Sequence, residues 1–344
     1  MVLARIARAT AAAVAVALVL FTGGATASQG GDGYVVHPLV TTATDADLVN
    51  AWGLVSGPTT PWWVSDNGTD KSTLYRADGS KVPLTVDVAG GPTGVVFNGD
   101  GGFPVGAGAP ARFIFASEDG AIRGWNPTTG TTAVVTVPSS GGVYKGLTLA
   151  IGATGQQLYA TDFTRGHVDV FDAAWHPVAT AGGFADPALP ADYAPFGIQS
   201  VGSSIVVTFA KQSGGTDELH GRSLGFVDEF DTNGRLLARV AQHGQLDAPW
   251  GIAQAPASFG RFGGDLLIGN FGDGQINAYA QLANGRFEHQ GTLRSADGGK
   301  LAIDGLWALE FGHGAPSNGP TDTLFFTAGP ADESLGLFGS ITAG

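Results

Sequence analysis

The sequence predicts an all-β chain folded as a six-bladed β-propeller of four-stranded antiparallel blades, and three observations carry that prediction. First, residues 157–172 read as two strands joined by a tight acidic and glycine turn, and similar apolar runs recur at 62–67, 113–119, 266–271 and 324–329. One hairpin cannot bury both its faces, so the copies must stack on one another. Second, a glycine opens an apolar run at Gly53, Gly94, Gly146, Gly197, Gly251 and Gly305, with separations of 41, 52, 51, 54 and 54 residues. That spacing suits a four-stranded blade, and glycine suits an innermost strand where backbones converge. Third, 55 glycines and 18 prolines accompany many Val, Thr, Phe and Trp residues, and no 3.6-residue period appears beyond the first residues.

Taken in order, the chain begins with a cationic start at Arg5 and Arg8, an apolar run over 11–21 and an Ala25-Thr26-Ala27 cleavage pattern. This predicts a signal peptide over 1–27, an exported chain, and one propeller domain over 28–344. Residues 34–40 form a spare strand. Blade 1 runs from Trp52 through 73–79 to 82–86, and blade 2 holds 122–127 and 133–137. Blade 3 contains the 157–172 hairpin. Blade 4 carries a polar insertion at 211–222 before 225–231, and blade 5 has 275–279. Blade 6 ends at 335–341 with no residues left for a fourth strand. The spare N-terminal strand is therefore expected to close the ring and hide an exposed edge.

Charge narrows the function classes. The net charge is −13, and no basic stripe interrupts it, so nucleic acid and anionic membranes are poor partners. No membrane span is expected once the leader is removed. The chain has no cysteine, which excludes a disulfide framework and a lipid-modified N-terminal cysteine.

The blade pattern of Pro-x-Gly-Ile or Pro-x-Gly-Val, an apolar strand ending in Asp or Asn, and Gly-x-Ile/Val-x-x-Phe/Tyr resembles NHL-type and SMP-30/gluconolactonase-type propellers. Ala51-Trp52-Gly53-Leu54, Gly225-Phe226-Val227-Asp228, Pro249-Trp250-Gly251-Ile252-Ala253, Gly269-Asn270-Phe271-Gly272-Asp273-Gly274 and Gly336-Leu337-Phe338-Gly339 together resemble an uncharacterised bacterial family of exported propellers. The resemblance spans essentially the whole chain after the leader. It implies the fold and an export route, and no particular reaction.

In a four-stranded meander the start of the innermost strand and the loop after the second strand share one end of the blade, so two rings of side chains are expected on one face. The inner ring consists of the residues before each glycine: Trp52, Thr93, Lys145, Phe196, Trp250 and Asp304. Lys145 should face Asp304 across the axis and Trp52 should face Phe196, giving an aromatic mouth for a small molecule, a carbohydrate or a protein ligand. The competing reading makes the aromatics a plug.

The outer ring is Asp66, Glu118, Asp162 and Asn270, with Lys211 in the corresponding loop of blade 4. Oxygen ligands from several blades could hold Ca²⁺, although Asp and Asn at such positions more commonly bond their own turns. SMP-30-like lactonases place metal ligands near the inner-strand starts, where Asp304 is the one match here.

Other patterns carry less. Gly221-Arg222-Ser223-Leu224-Gly225 matches the nucleophile-elbow motif, but a strand follows it where that motif needs a helix. Residues 99–102 and 106–108 lack the helix that a phosphate loop requires. Among the histidines His220 stands out, because Asp217 and Glu218 share its loop and Glu333 occupies the corresponding loop of blade 6. The sequence thus points to a binding module acting at the central mouth. The alternative is a Ca²⁺-dependent, lactonase-like hydrolase.

Overall fold

Strand-forming runs too short to be stable alone stack into six blades in a computed structural model that describes residues 33–139 and 141–344. The predicted leader, 1–27, lies outside the described residues. Blade 1 is the meander Ala51–Val55, Trp62–Asp66, Lys71–Tyr75 and Lys81–Asp87. Blade 2 follows as Pro92–Phe97, Phe113–Ser117, Ile122–Trp125 and Val134–Val137. Blade 3 has three strands, Tyr144–Gly152, Gly155–Asp162 and His167–Asp172, with a bridge from Phe171 to Pro177 where a fourth would start. Blades 4 and 5 return to the four-strand meander, starting at Tyr193–Val201 and Pro249–Gln254.

Blade 6 closes the ring in the expected way. Its own strands Leu306–Phe311, Leu324–Ala328 and Leu337–Ala343 are completed by Tyr34–Thr41, which pairs antiparallel with the last of them, Tyr34 opposite Ala343 and Thr41 opposite Leu337. Tyr34 anchors this strand to the neighbouring blade. Its ring lies 4.9 Å from Phe259, and its hydroxyl donates to the Phe259 carbonyl.

Blades pack face to face through apolar layers. Val96, Ile114 and Ala116 of blade 2 meet Leu147, Leu158 and Ala160 of blade 3; Tyr159 and Val170 of blade 3 meet Ile198, Ile205 and Val207 of blade 4. Alternate residues of each strand face opposite neighbours, so central strands are apolar on both sides.

The innermost strands share one irregularity. Each has a register shift near its start, between Ala51 and Leu54, Pro92 and Val95, Tyr144 and Gly146, Pro195 and Ile198, Pro249 and Gly251, and Leu306 and Leu309. A bulge turns one side chain out of the pleat, and here it turns it toward the axis. The glycine behind that side chain lets the next blade approach: a methyl on Gly197 would lie 2.1 Å from the Trp250 carbonyl oxygen, and one on Gly251 2.5 Å from that of Trp307.

The bulges correct one expected ring position. In blade 6 the bulged pair is Trp307-Ala308, so Trp307 completes the ring and Asp304 does not. Gly305 belongs to the preceding turn, where its φ of +63° requires a glycine. Asp304 is exposed, and its carboxylate accepts a hydrogen bond from the Ala331 amide.

Threonine hydroxyls on the first and second strands latch neighbouring blades. Thr161 donates to the Phe196 carbonyl and Thr93 to that of Tyr144, while Thr327 bonds the Trp52 carbonyl and accepts from the Ala308 amide. These bonds satisfy backbone groups that the bulges leave without a ladder partner.

Candidate functional site: an acidic cleft over an aromatic plug

The axis is filled. Trp52, Phe196, Trp250 and Trp307 are all buried and belong to one core cluster. Trp307 lies between two other rings, its centroid 3.7 Å from that of Trp52 and 4.1 Å from that of Phe271, both near parallel. Trp250 meets Trp52 and Trp307 edge-on, and its indole N–H donates to the Lys145 carbonyl. The aromatic residues expected to line an open mouth therefore form a floor. Thr93 is likewise buried, its hydroxyl spent on the blade 3 backbone.

Above that floor lies a cleft of about 300 Å³, lined by residues of all six blades. Asn50, Trp52 and Asn67 come from blade 1, Glu118 from blade 2, and Lys145 from blade 3. Blade 4 gives Asp217, Glu218 and His220, blade 5 gives Phe271, and blade 6 gives Asp332 and Glu333. The blade 4 insertion supplies its residues because it is ordered as a hairpin. Glu218 and Leu219 pair with Gln212 and Lys211, the Ser213 hydroxyl bonds the Asp217 carbonyl, and the returning Gly221 amide donates to Asp247. Lys211 itself points elsewhere and pairs with Asp192 at 2.9 Å.

A single hydrogen-bond network runs through the cleft. The Trp307 indole N–H donates to Asn50 Oδ1 at 2.9 Å; Asn50 Nδ2 donates to Asn67 Oδ1 and Glu333 Oε1, each at 3.1 Å. Asn67 in turn donates to Glu118 Oε2 at 2.9 Å, and the Lys145 ammonium donates to Glu118 Oε1 at 2.7 Å. Lys145 is buried, with its ammonium 4.8 Å from the Trp52 ring centroid and 3.8 Å from Asp217.

Strained backbone holds two members of the network. Asn50 has φ of +45°, and Ala331, Asp332 and Glu333 form a left-handed run with φ of 56°, 51° and 62°. Each non-glycine residue in that region costs about 1–2 kcal/mol. Such strain persists where the surroundings over-determine it, and here it presents Glu333 to Asn50.

Negative charge dominates the electrostatics. Burial pushes the Glu218 carboxyl up to about 7, against the pull of the Lys145 ammonium. Burial also raises Glu333, with Glu118 and Asp217 adding to the effect and Asn50 opposing it. Burial alone would lower Lys145, but Glu118, Glu218 and Asp217 hold its ammonium above the usual value. The Lys145 ammonium thus faces Glu118, Asp217, Glu218 and Glu333, and Asp332 adds a fifth carboxylate to the lining. The Trp52 indole N–H, which borders the same cleft, finds no acceptor among the described residues.

Of the four residues expected to share a calcium ion, Glu118 alone lines this cleft. Asp66 is buried in blade 1, where burial raises its carboxyl well above the ordinary value despite Thr73. Asp162 accepts from the Thr164 hydroxyl and the Arg165 amide of its own turn, and Asn270 donates to Asp273 and the Gln245 carbonyl. Asp162 and Asn270 thus cap turns, the commoner use weighed above. Sequence reasoning missed Asn50, Asn67, Phe271 and Trp307. Phe271 was readable as the residue after Asn270, whereas Asn50 and Asn67 carry no pattern of their own.

No protein-family model matches the chain. An uncharacterized protein of Acanthamoeba polyphaga mimivirus is 31% identical over 321 residues, spanning 86% of this chain and 81% of its own length. A second protein of that virus is 31% identical over 320 residues, spanning 87% of this chain and 76% of its own. The chain belongs to their family. Both these family members are viral, so the bacterial grouping suggested by the resemblance gains no support from them. Among solved structures, a streptogramin B lyase overlays with a TM-score of 0.53 at 10% identity, covering 92% of this chain and all of the lyase. At that identity the likeness extends the family's propeller fold to a known structure and says nothing about its chemistry. Among the described residues no helix is long and apolar enough to cross a membrane.

Proposed function

We propose that this chain is an exported binding module whose axial cleft takes a small organic cation bearing amine or guanidinium groups. The observation that carries the reading is the meeting of Glu118, Asp217, Glu218 and Glu333, from three blades, around the single ammonium of Lys145 over an aromatic floor. Carboxylates forced together without enough counter-charge resist ionisation, and a cation in the cleft relieves that resistance. Aromatic faces beside carboxylates are a recurrent arrangement for organic cations. The export component rests on the N-terminal leader pattern and is checked by sequencing the N-terminus of the protein recovered outside the producing cell.

The ligand reading is tested by calorimetry of the full chain with spermidine in physiological salt. Affinity is expected to rise as pH increases through about 7, because the Glu218 carboxyl, pushed up to about 7, then becomes charged. Glu118→Gln and Glu333→Gln should each weaken binding about tenfold, and Lys145→Gln should strengthen it by removing a competing cation. Saturable binding of a neutral sugar with no response to spermidine would sink the proposal.

One observation favours a second reading, in which the cleft is catalytic. A carboxyl titrating near neutral pH beside an ammonium suits general acid–base chemistry on a carbonyl or lactone substrate. Lactone or ester turnover lost in Glu218→Gln would establish it.

A further inference from the structure

Blade 3 holds a second cluster, outside the axial cleft. His167 opens its third strand and pairs in register with Asp162 of the second strand. Asp169 stands two residues beyond His167, so its side chain leaves the sheet on the same face. One potential ligand atom from each of the three lies within 4.8 Å of the others.

The spacing and the partners point to a cation. His167 Nε2 is 3.1 Å from Asp169 Oδ1. Two ligand atoms held about 2.1 Å from one transition metal at octahedral or tetrahedral angles are about 3 to 3.4 Å apart, so this pair already has the required separation. Asp169 Oδ2 accepts from the Tyr144 hydroxyl at 2.6 Å, an outer contact that fixes the carboxylate and turns Oδ1 to His167, with which it pairs directly when no ion is bound.

Asp162 supplies an independent observation. It is fully buried, and its Oδ1 accepts from the Thr164 hydroxyl and the Arg165 amide. Its Oδ2 is sealed from solvent and accepts no hydrogen bond among the described residues, with Arg165 Nη1 at 3.7 Å. Arg165 thus offers an ion pair beyond hydrogen-bond reach, and a buried carboxylate oxygen is costly to leave without a donor. Gly142 passes beside it, where a methyl would fall 1.9 Å from Oδ2.

We propose that Asp162 Oδ2, His167 Nε2 and Asp169 Oδ1 bind one divalent first-row transition metal ion of the Zn²⁺ or Co²⁺ type. The imidazole disfavours Ca²⁺, which prefers oxygen throughout. The ion ties together the second and third strands of the one blade that lacks a full fourth strand. It shares Asp162 with the calcium set expected from the sequence and nothing else.

The test is titration of the full chain, stripped with chelator, first with Co²⁺ followed by visible d–d absorption and then with Zn²⁺ by equilibrium dialysis. One equivalent should bind, Zn²⁺ should displace Co²⁺, and His167→Ala and Asp169→Asn should each weaken binding at least tenfold. His176→Ala, which removes a surface histidine paired with Asp172, should leave binding unchanged. His167 is partly exposed, so its variant is expected to fold, and an unaltered circular dichroism spectrum checks that. Absence of saturable binding overturns the proposal, as does binding that survives both variants or falls equally in His176→Ala.

Discussion

Glu218 shows how one side chain converts burial into pH dependence. Its ordinary value is 4.5, and the folded cleft moves it up to about 7. Between those values the folded chain holds a proton that the unfolded chain has released, so folding loses stability as pH rises through the window and levels off above it. The melting temperature of the wild type, relative to Glu218→Gln, is therefore expected to fall from about pH 5 to about pH 7.5. A difference that stays constant with pH would show that Glu218 ionises normally. Asn50 makes the complementary point about geometry. Its amide bonds Trp307, Asn67 and Glu333 at once, so the plug and the cleft share one polar hinge.

At the level of the strand, the repeated bulge decides what reaches the axis. Gly197→Ala would set a methyl 2.1 Å from the Trp250 carbonyl oxygen, against rigid backbone, whereas Gly215→Ala in the blade 4 insertion meets nothing closer than 3.9 Å. Urea unfolding should show the first variant destabilised by about 3 kcal/mol or more and the second nearly neutral. Equal effects would mean that the ring tolerates a side chain there.

The same bulge explains what could be read from the sequence. Five of the six ring residues follow from the glycine behind them, because close backbone approach leaves no alternative to glycine. In blade 6 that place is taken by Ala308, and the glycine pattern matched Asp304-Gly305 three residues too early, where the left-handed turn needs glycine for a different reason. The cleft was harder to read. Lys145, Glu118, Asp217, Glu218, His220 and Glu333 stood out as loop or ring positions, but nothing local says that Asn50 or Asn67 joins them. Their roles depend on partners from other blades, up to 283 residues away in the chain.

For the molecule as a whole, closure by Tyr34–Thr41 is the contact that makes a ring from a row of blades. Tyr34→Ala removes a ring packed on Phe259 and Phe262 and the hydroxyl bond to the Phe259 carbonyl, at an expected cost of about 3–5 kcal/mol. The loss should appear first as faster hydrogen exchange in blade 6, with blades 2 and 3 still protected. Uniform acceleration in every blade would mean that the ring opens only as a unit.

Pairing of Tyr34 with Ala343 also sets a timetable for biosynthesis. The strand that finishes blade 6 is made before the other five blades and its partner after them, so it must wait, unpaired, while some three hundred intervening residues are translated. A bare edge held open that long invites pairing with another chain, and production of this protein is expected to depend on whatever shields that early strand until Leu337–Ala343 arrives.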